Sequence, residues 1–329
     1  MARIWTEGFE MGDLLPLTVS TGNATSTSPV RSGAYSFRIG GGNSANYKDL
    51  PSAYSELYIR FGWYKANNDT NQQICAWAYG GTYLGCLKIN GGYLCLYTST
   101  GTLVASSSFY PLSNTWYLLE LRVKIADSGG VLNLKVDGTS ILTYTGDTKP
   151  GTDTTINRFY FGVSNNYWYY DDIAINDTSG AADNSWCGDG KIIALTPNGN
   201  GDVSQLTGSD GDSTDNYLHV DEAVSDGDTT YTQSESADNY DLYNLTNCGL
   251  SHVTINRVWV EARARDTVAD GGNCQLGLKT TSEYWSSNIS LLTTYTKQVL
   301  GTFYTTNPYT GSAWTTTQLD GLQAGFKVK

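Results

Sequence analysis

Residues 74–97 read ICAWAYGGTYLGCLKINGGYLCLY, and this stretch decides the fold class. Three apolar and aromatic runs, 74–79, 83–89 and 93–97, are separated by Gly80-Gly81 and Asn90-Gly91-Gly92. Gly and Asn enter the left-handed backbone region at little cost, so these pairs close hairpins. Runs this short, rich in aromatic residues and bounded by turn chemistry, predict an antiparallel meander. Within it, Tyr93, Cys95 and Tyr97 share one face, and Leu94 and Leu96 share the other, the expected core side.

The same pattern extends outward. Strands are expected at 56–64, 116–125, 131–136, 140–144 and 157–163, with Asp137-Gly138 as a hairpin turn. Leu119, Leu121, Val123 and Ile125 alternate with Glu120, Arg122 and Lys124, a period of two with one buried face. Alternation resumes at 253–265, 275–279, 298–302 and 321–329, and no long segment shows a helical period. The expected class is all-β, with two tandem antiparallel β-sandwiches. A length of 329 residues suits two domains of roughly 150 residues each. A small, polar stretch around 176–186 (NDTSGAADNSW) lacks alternation, so the expected division is 1–177, a linker at 178–186, and 187–329.

Charge excludes several functions. The chain carries 32 acidic and 20 basic residues, a net charge of −12. Nucleic-acid binding needs basic patches, and anionic membrane surfaces repel such a chain, so neither is an expected partner. Between 192 and 256 there is no Lys or Arg but there are many acids, which reads as a solvated face rather than a calcium loop. Asp210-Gly211-Asp212 begins like an EF-hand but has Asp215 where Gly is required. His219 and His252 are the only histidines, which leaves little room for histidine catalysis or zinc. Six Cys without C-x-x-C spacing read as reduced, buried thiols. No signal peptide and no apolar run of membrane-spanning length is visible.

The order WTEGFE (5–10), SGAYSFRIG (32–40), ELYIRFGWY (56–64), WYLLELRVKI (116–125), VLNLKVDG (131–138) and YWYYDDIAIND (167–177) resembles a concanavalin A-like or laminin-G-like jelly roll. That resemblance covers residues 1–177. It implies that the first and last strands lie side by side, bringing Glu7 and Glu10 near Asp171 and Asp172. Crowded carboxylates need a proton or a cation between them. A structural calcium, taking about six to eight oxygens, is one expectation there. The other is that the two aspartates cap a strand and accept backbone hydrogen bonds. No cofactor is otherwise required.

The second half is similar to a sandwich domain of tailed-bacteriophage virion proteins. The segments that carry this are LTPNGNGD (195–202), NYLHVDE (216–222), DGDTTYTQ (226–233), DLYNL (241–245), INRVWVEARARD (255–266) and NPYTGSAWTTTQLDGLQAGFKV (307–328). The resemblance implies a virion structural protein, a capsid decoration or a tail or fibre component. It would assemble as a homo-oligomer with other virion proteins and be made in the host cytoplasm. Glycan adhesion is the accompanying expectation, because sugars stack on Trp and Tyr and bond Asn and Asp. The residues proposed for it are Tyr93, Tyr97, Asn166, Tyr167 and Trp168. The same aromatics also read as core or as subunit contacts. A freestanding lectin and a polysaccharide-cleaving enzyme are the other readings. The chain is expected not to be an enzyme: it has no E-x-D-x-E, G-x-S-x-G, H-E-x-x-H or phosphate loop, and Glu120 stands alone on its strand.

Overall fold

A computed structural model describes residues 3–40, 46–99, 101–149, 151–162, 167–268, 271–295 and 299–329. The chain is all-β, as the turn pattern predicts, and its sheets are antiparallel. It divides into two compact units, 1–193 and 194–329.

The first unit is built from β1 (Arg3–Glu7), β2 (Ala24–Ser26), β3 (Ser36–Ile39), β4 (Tyr47–Tyr54), β5 (Glu56–Lys65), β6 (Gln72–Tyr79) and β7 (Thr82–Asn90). They are followed by β8 (Tyr93–Thr98), β9 (Thr102–Ser106), β10 (Thr115–Lys124), β11 (Gly130–Val136), β12 (Thr139–Gly146), β13 (Ile156–Phe161) and β14 (Trp168–Asn176). Sheet I runs β12-β11-β10-β5-β14-β3-β2, and sheet II runs β4-β13-β6-β7-β8-β9. The predicted meander is β6-β7-β8, with Gly80 and Gly91 at φ of 55° and 59° in its turns. Strand β14 pairs with β3 through its first half and with β1 through its second, so the first and last strands do lie together, Glu7 opposite Ile173.

Alternation sorts the two faces. Leu57, Ile59, Phe61 and Trp63 of β5, Leu119, Leu121 and Val123 of β10, and Leu94 and Leu96 of β8 fill one shared core. Phe37, Phe161, Phe159, Phe61 and Tyr170 meet at its centre with ring centroids 5.1–6.1 Å apart wherever they touch edge-on or tilted. The Tyr170 hydroxyl, buried in this apolar layer, donates to the Ile74 carbonyl at 2.7 Å.

The segment 178–193 is not a linker. It lies as a strap on the outer face of sheet I. Trp186 packs on Tyr58 at 5.6 Å under the Lys135 ammonium, and the Gly188 N–H donates to Glu120 at 2.7 Å. The boundary therefore moves from 178–186 to residue 193, because a polar, glycine-rich stretch can satisfy a buried polar face as well as it can span solvent.

The second unit has a six-stranded sheet whose main path is Pro197–Ser204, Tyr240–Leu245, Gln323–Val328, Asn273–Lys279 and Glu283–Trp285. The closing strand and the strand at 275–279 appear as expected. The alternating stretch 253–265 does not form a continuous strand. It makes single bridges at Ile255 and Val258 and a two-residue strand at Glu261–Ala262. Its alternation records a half-buried extended segment that pairs at separate points, with Trp314, Tyr304 and Val299–Leu300, rather than along a continuous ladder. All six cysteines are free thiols.

Gly162 marks a tight point of the first core, where a Cβ would lie 2.1 Å from the Gln73 carbonyl oxygen. A Cβ there would lie 2.7 Å from the Ile74 carbonyl oxygen and 2.8 Å from the Tyr170 hydroxyl. Gly162→Ala is expected to destabilise the first unit by about 1–3 kcal/mol, read from denaturant midpoints, since overpacking against backbone has no flexible partner to yield. An unchanged midpoint would contradict this packing.

Candidate functional site

The outer face of sheet II gathers the aromatic and polar groups suited to recognition. One row crosses five strands in register: Tyr47, Tyr160, Ala76, Cys86 and Tyr97. Two small residues thus lie between tyrosine shoulders. On one shoulder Tyr83 stacks on Tyr160 at 4.8 Å, and Tyr47 leans on Tyr160 at 5.2 Å. Arg158 sits 3.8 Å over the Tyr47 ring, holds both oxygens of Asp49, and donates to the Tyr160 hydroxyl at 3.1 Å. That bidentate pair pushes the Arg158 pKa up, chiefly through its hydrogen bonds to Asp49. On the other shoulder the Lys88 ammonium lies 4.9 Å over Tyr97, whose hydroxyl accepts a 2.8 Å bond from Asn90. Cys95 lies beside them, buried on the same outer cluster, and burial pushes the Cys86 thiol up to about 11. Cys86 is thus a neutral thiol used as a small filler, not a nucleophile.

Of the five residues expected to bind glycan, this face holds Tyr97 and, at its edge, Tyr93, which is 43 % exposed and packs edge-on against Tyr110. Tyr167 belongs elsewhere. It is 52 % exposed and lies over the Arg38 guanidinium at 4.8 Å, on the outer side of sheet I. Trp168 is corrected: it points inward, 0 % exposed, with its ring edge-on to Trp63 at 5.2 Å, and offers no ring face to a sugar. Asn166 lies outside the described residues. The period of two explains the error, since Trp168 and Tyr170 face the core while Tyr169 faces out. Tyr47, Tyr83, Tyr160 and Tyr169 were missed. Tyr83, Tyr160 and Tyr169 each stand next to a core residue of their strand, and that parity was a readable signal.

The carboxylate cluster is real, but its cation is a side chain. The register of β14 against β5 slips between Asp171 and Ala174, and Asp172 takes a left-handed φ of 53°. This one-residue bulge lets consecutive aspartates both turn away from the apolar core. Asp171 accepts the N–H groups of Arg31 at 2.8 Å, Ser32 at 3.2 Å and Asp172 at 2.7 Å. Asp172 receives the Arg31 guanidinium at 2.5 Å, the Ser32 hydroxyl at 2.6 Å and the Ile192 N–H at 2.6 Å. Glu7 accepts from the Phe9 N–H, and Glu10 from the Ala34 N–H at 2.7 Å. Such donors hold Glu7, Asp171 and Asp172, while the buried Glu10 Oε1 has no hydrogen-bond partner among the described residues. Among the described residues no group of three or more His, Cys, Asp or Glu side chains is arranged to hold a metal. The reading in which the aspartates accept backbone hydrogen bonds describes Asp171 and Asp172.

Comparison with known proteins adds the following. No family model matches the chain, and no curated protein sequence matches it. Solved structures similar to it include a sialidase, at 12 % identity and a TM-score of 0.42, with 54 % of this chain and 19 % of that one covered. A protein with a galectin-like fold from Bacillus subtilis is similar at 14 % identity and a TM-score of 0.40, covering 54 % of this chain and 96 % of that one. An alginate lyase in complex with alginate trisaccharide is similar at 13 % identity and a TM-score of 0.35, covering 53 % and 97 %. The chain spans about a fifth of the sialidase's length. The expectation that the chain is not an enzyme is corrected by this set. A sialidase and an alginate lyase stand among the similar structures.

Burial is the main cause that raises Glu10 to about 7 and Asp171 to about 8, with the negative charge of Asp172 adding to both. A carboxyl whose pKa is raised by folding binds its proton more tightly in the native state. Its contribution to stability is complete below the unfolded value, near 4, and is lost as pH rises through about 7 and 8. Thermal midpoints followed upward from about pH 5 are expected to fall, and Glu10→Gln is expected to flatten part of that fall. A midpoint that rises toward pH 8 would contradict the assignment.

Proposed function

We propose that the first unit recognises carbohydrate through the outer face of sheet II. The observation that carries this is the row Tyr47–Tyr160–Ala76–Cys86–Tyr97, with small residues set between aromatic shoulders. A pyranose has apolar C–H faces and a rim of hydroxyls. Tyrosine rings match the first, and Arg158, Asp49, Lys88 and Asn90 supply donors and acceptors for the second. The Arg158–Asp49 pair is fixed in geometry before any ligand arrives, which reduces the ordering cost of binding.

The setting we propose is the exterior of a tailed-phage particle, as a homo-oligomeric capsid decoration or tail component among other virion proteins. What supports it is the likeness of the segments 195–202, 216–222, 226–233, 241–245, 255–266 and 307–328 to a virion sandwich domain. In that setting the first unit would hold host-surface glycan.

Binding of the full chain to a panel of neutral surface glycans tests the site. Tyr83→Ala and Tyr97→Ala are each expected to weaken binding by at least about tenfold, the scale of an aromatic anchor lost from a recognition surface. Retained affinity in both variants would refute the site. Analysis of the same mixtures for shortened glycan separates retention from turnover. Mass spectrometry of purified particles tests the setting, and absence of the chain from them would refute it.

A further inference from the structure

Sheet I carries a second aromatic row on its own outer face, unused by the proposal above. Trp116 of β10, Tyr64 of β5, Tyr169 of β14 and Arg38 of β3 are direct register partners on four consecutive strands. All four alternate with core residues on their strands, so all four point outward. Strands lie about 4.8 Å apart, so the row extends for roughly 15 Å. Its rings touch in sequence, Trp116 to Tyr64 at 5.4 Å and Tyr64 to Tyr169 at 5.7 Å. Tyr167 closes the far end over Arg38, in the space that Gly40 leaves by having no Cβ. The strap makes its contacts with Tyr58, Arg60, Glu120 and Lys135, toward the other end of β5, β10 and β11.

Arg38 is the distinctive member. Arg3, Arg31, Arg122 and Arg158 of this unit each pair with a carboxylate, and Arg60 bonds backbone carbonyls. Among the described residues Arg38 meets no carboxylate. Its guanidinium faces the Tyr167 ring instead. In a chain with a net charge of −12, a half-buried guanidinium at the end of an aromatic row lacks only an anion. An arginine fork matches a carboxylate bidentately, and a partly desolvated setting strengthens that bond.

We propose that this row binds an acidic oligosaccharide. A uronate or sialate carboxylate meets Arg38, and the following sugar rings run across the strands over Tyr169, Tyr64 and Trp116. Strand spacing gives the rings a repeat close to that of linked pyranoses. The aromatics contribute contact with the apolar sugar faces, and Arg38 makes the site selective for charge. The site is separate from the sheet II face and does not depend on it.

The test titrates the full chain with tetramers of galacturonate and of mannuronate and with a sialyl oligosaccharide, each beside its methyl ester, at low and raised salt. Acid forms are expected to bind at least about tenfold more tightly than their esters, the worth of one charge-assisted bond. Salt is expected to narrow that difference. Arg38→Gln is expected to abolish the preference for acid over ester, Tyr64→Ala to weaken both forms, and Tyr83→Ala on sheet II to leave the preference intact. The proposal is overturned by equal affinity for acid and ester, by a preference that survives Arg38→Gln, or by no binding of any acid form. Loss of neutral-glycan binding in Tyr83→Ala reports on sheet II alone, so failure at one face is told apart from failure at the other.

Discussion

The Arg31–Asp172 pair, set in a β-bulge, is the constraint on which the first unit turns. A carboxylate as buried as Asp172 is tolerated only when paired and saturated with hydrogen bonds. Here one guanidinium, one hydroxyl and one backbone N–H complete it. Those donors come from two separate stretches, since Arg31 and Ser32 precede β3 and Ile192 ends the strap. Gly62 leaves room for the Arg31 side chain, because a Cβ there would approach its Cδ to 2.5 Å. Charge satisfaction thus gathers the β2–β3 connection, the last strand and the strap at one point. Removing Arg31 would take the ion-pair partner from both Asp172 and Asp189.

The bulge also sets the phase of β14. Before it, Trp168 and Tyr170 face the core, and after it Ile173 and Ile175 do. One inserted residue therefore switches the inward parity from even to odd. Tyr169 is left on the outer face of sheet I, and Asn176 is placed where it bonds Arg3 and the Ser185 carbonyl. The aromatic row and the strap are consequences of the same local irregularity, on either side of it.

Most of the first unit was legible in the sequence. Paired glycines, Asp137-Gly138 and clean alternation over 119–125 mark strands whose faces are strongly sorted, and those were found with the correct core side. The neighbourhood of the first and last strands followed from the jelly-roll likeness. Cross-strand partnership was not legible. Tyr160 stands opposite Ala76 on one side and Tyr47 on the other, through pairings between segments distant in sequence. Local periodicity carries no information on such pairings. Parity within 168–170 was readable and turns Trp168 inward; what the bulge hid is the turn of Asp171 and Asp172 away from the core. The strap was hidden for a related reason: a stretch of small polar residues reads as solvent-facing until the polar face beneath it is known. In the second unit the ladders are short and interrupted, so the alternation at 253–265 overstated its regularity.

The pairing of β1 with β14 has a consequence for how the chain is made. Arg3 lies opposite Asn176, and the strap that seals the neighbouring face ends near residue 193. On a ribosome, the opening strand must wait for nearly the whole unit to emerge before its partner exists. Until then it presents Trp5 and an unpaired edge to the surroundings. Long-range closure of this kind slows folding and prolongs exposure of apolar surface. Synthesis of the acidic second unit follows directly, and its negative charge accumulates on the nascent chain while the sandwich closes. A lag of this length, with a solubilising charge arriving behind it, makes the order of the two units along the chain a feature of its assembly as well as of its architecture.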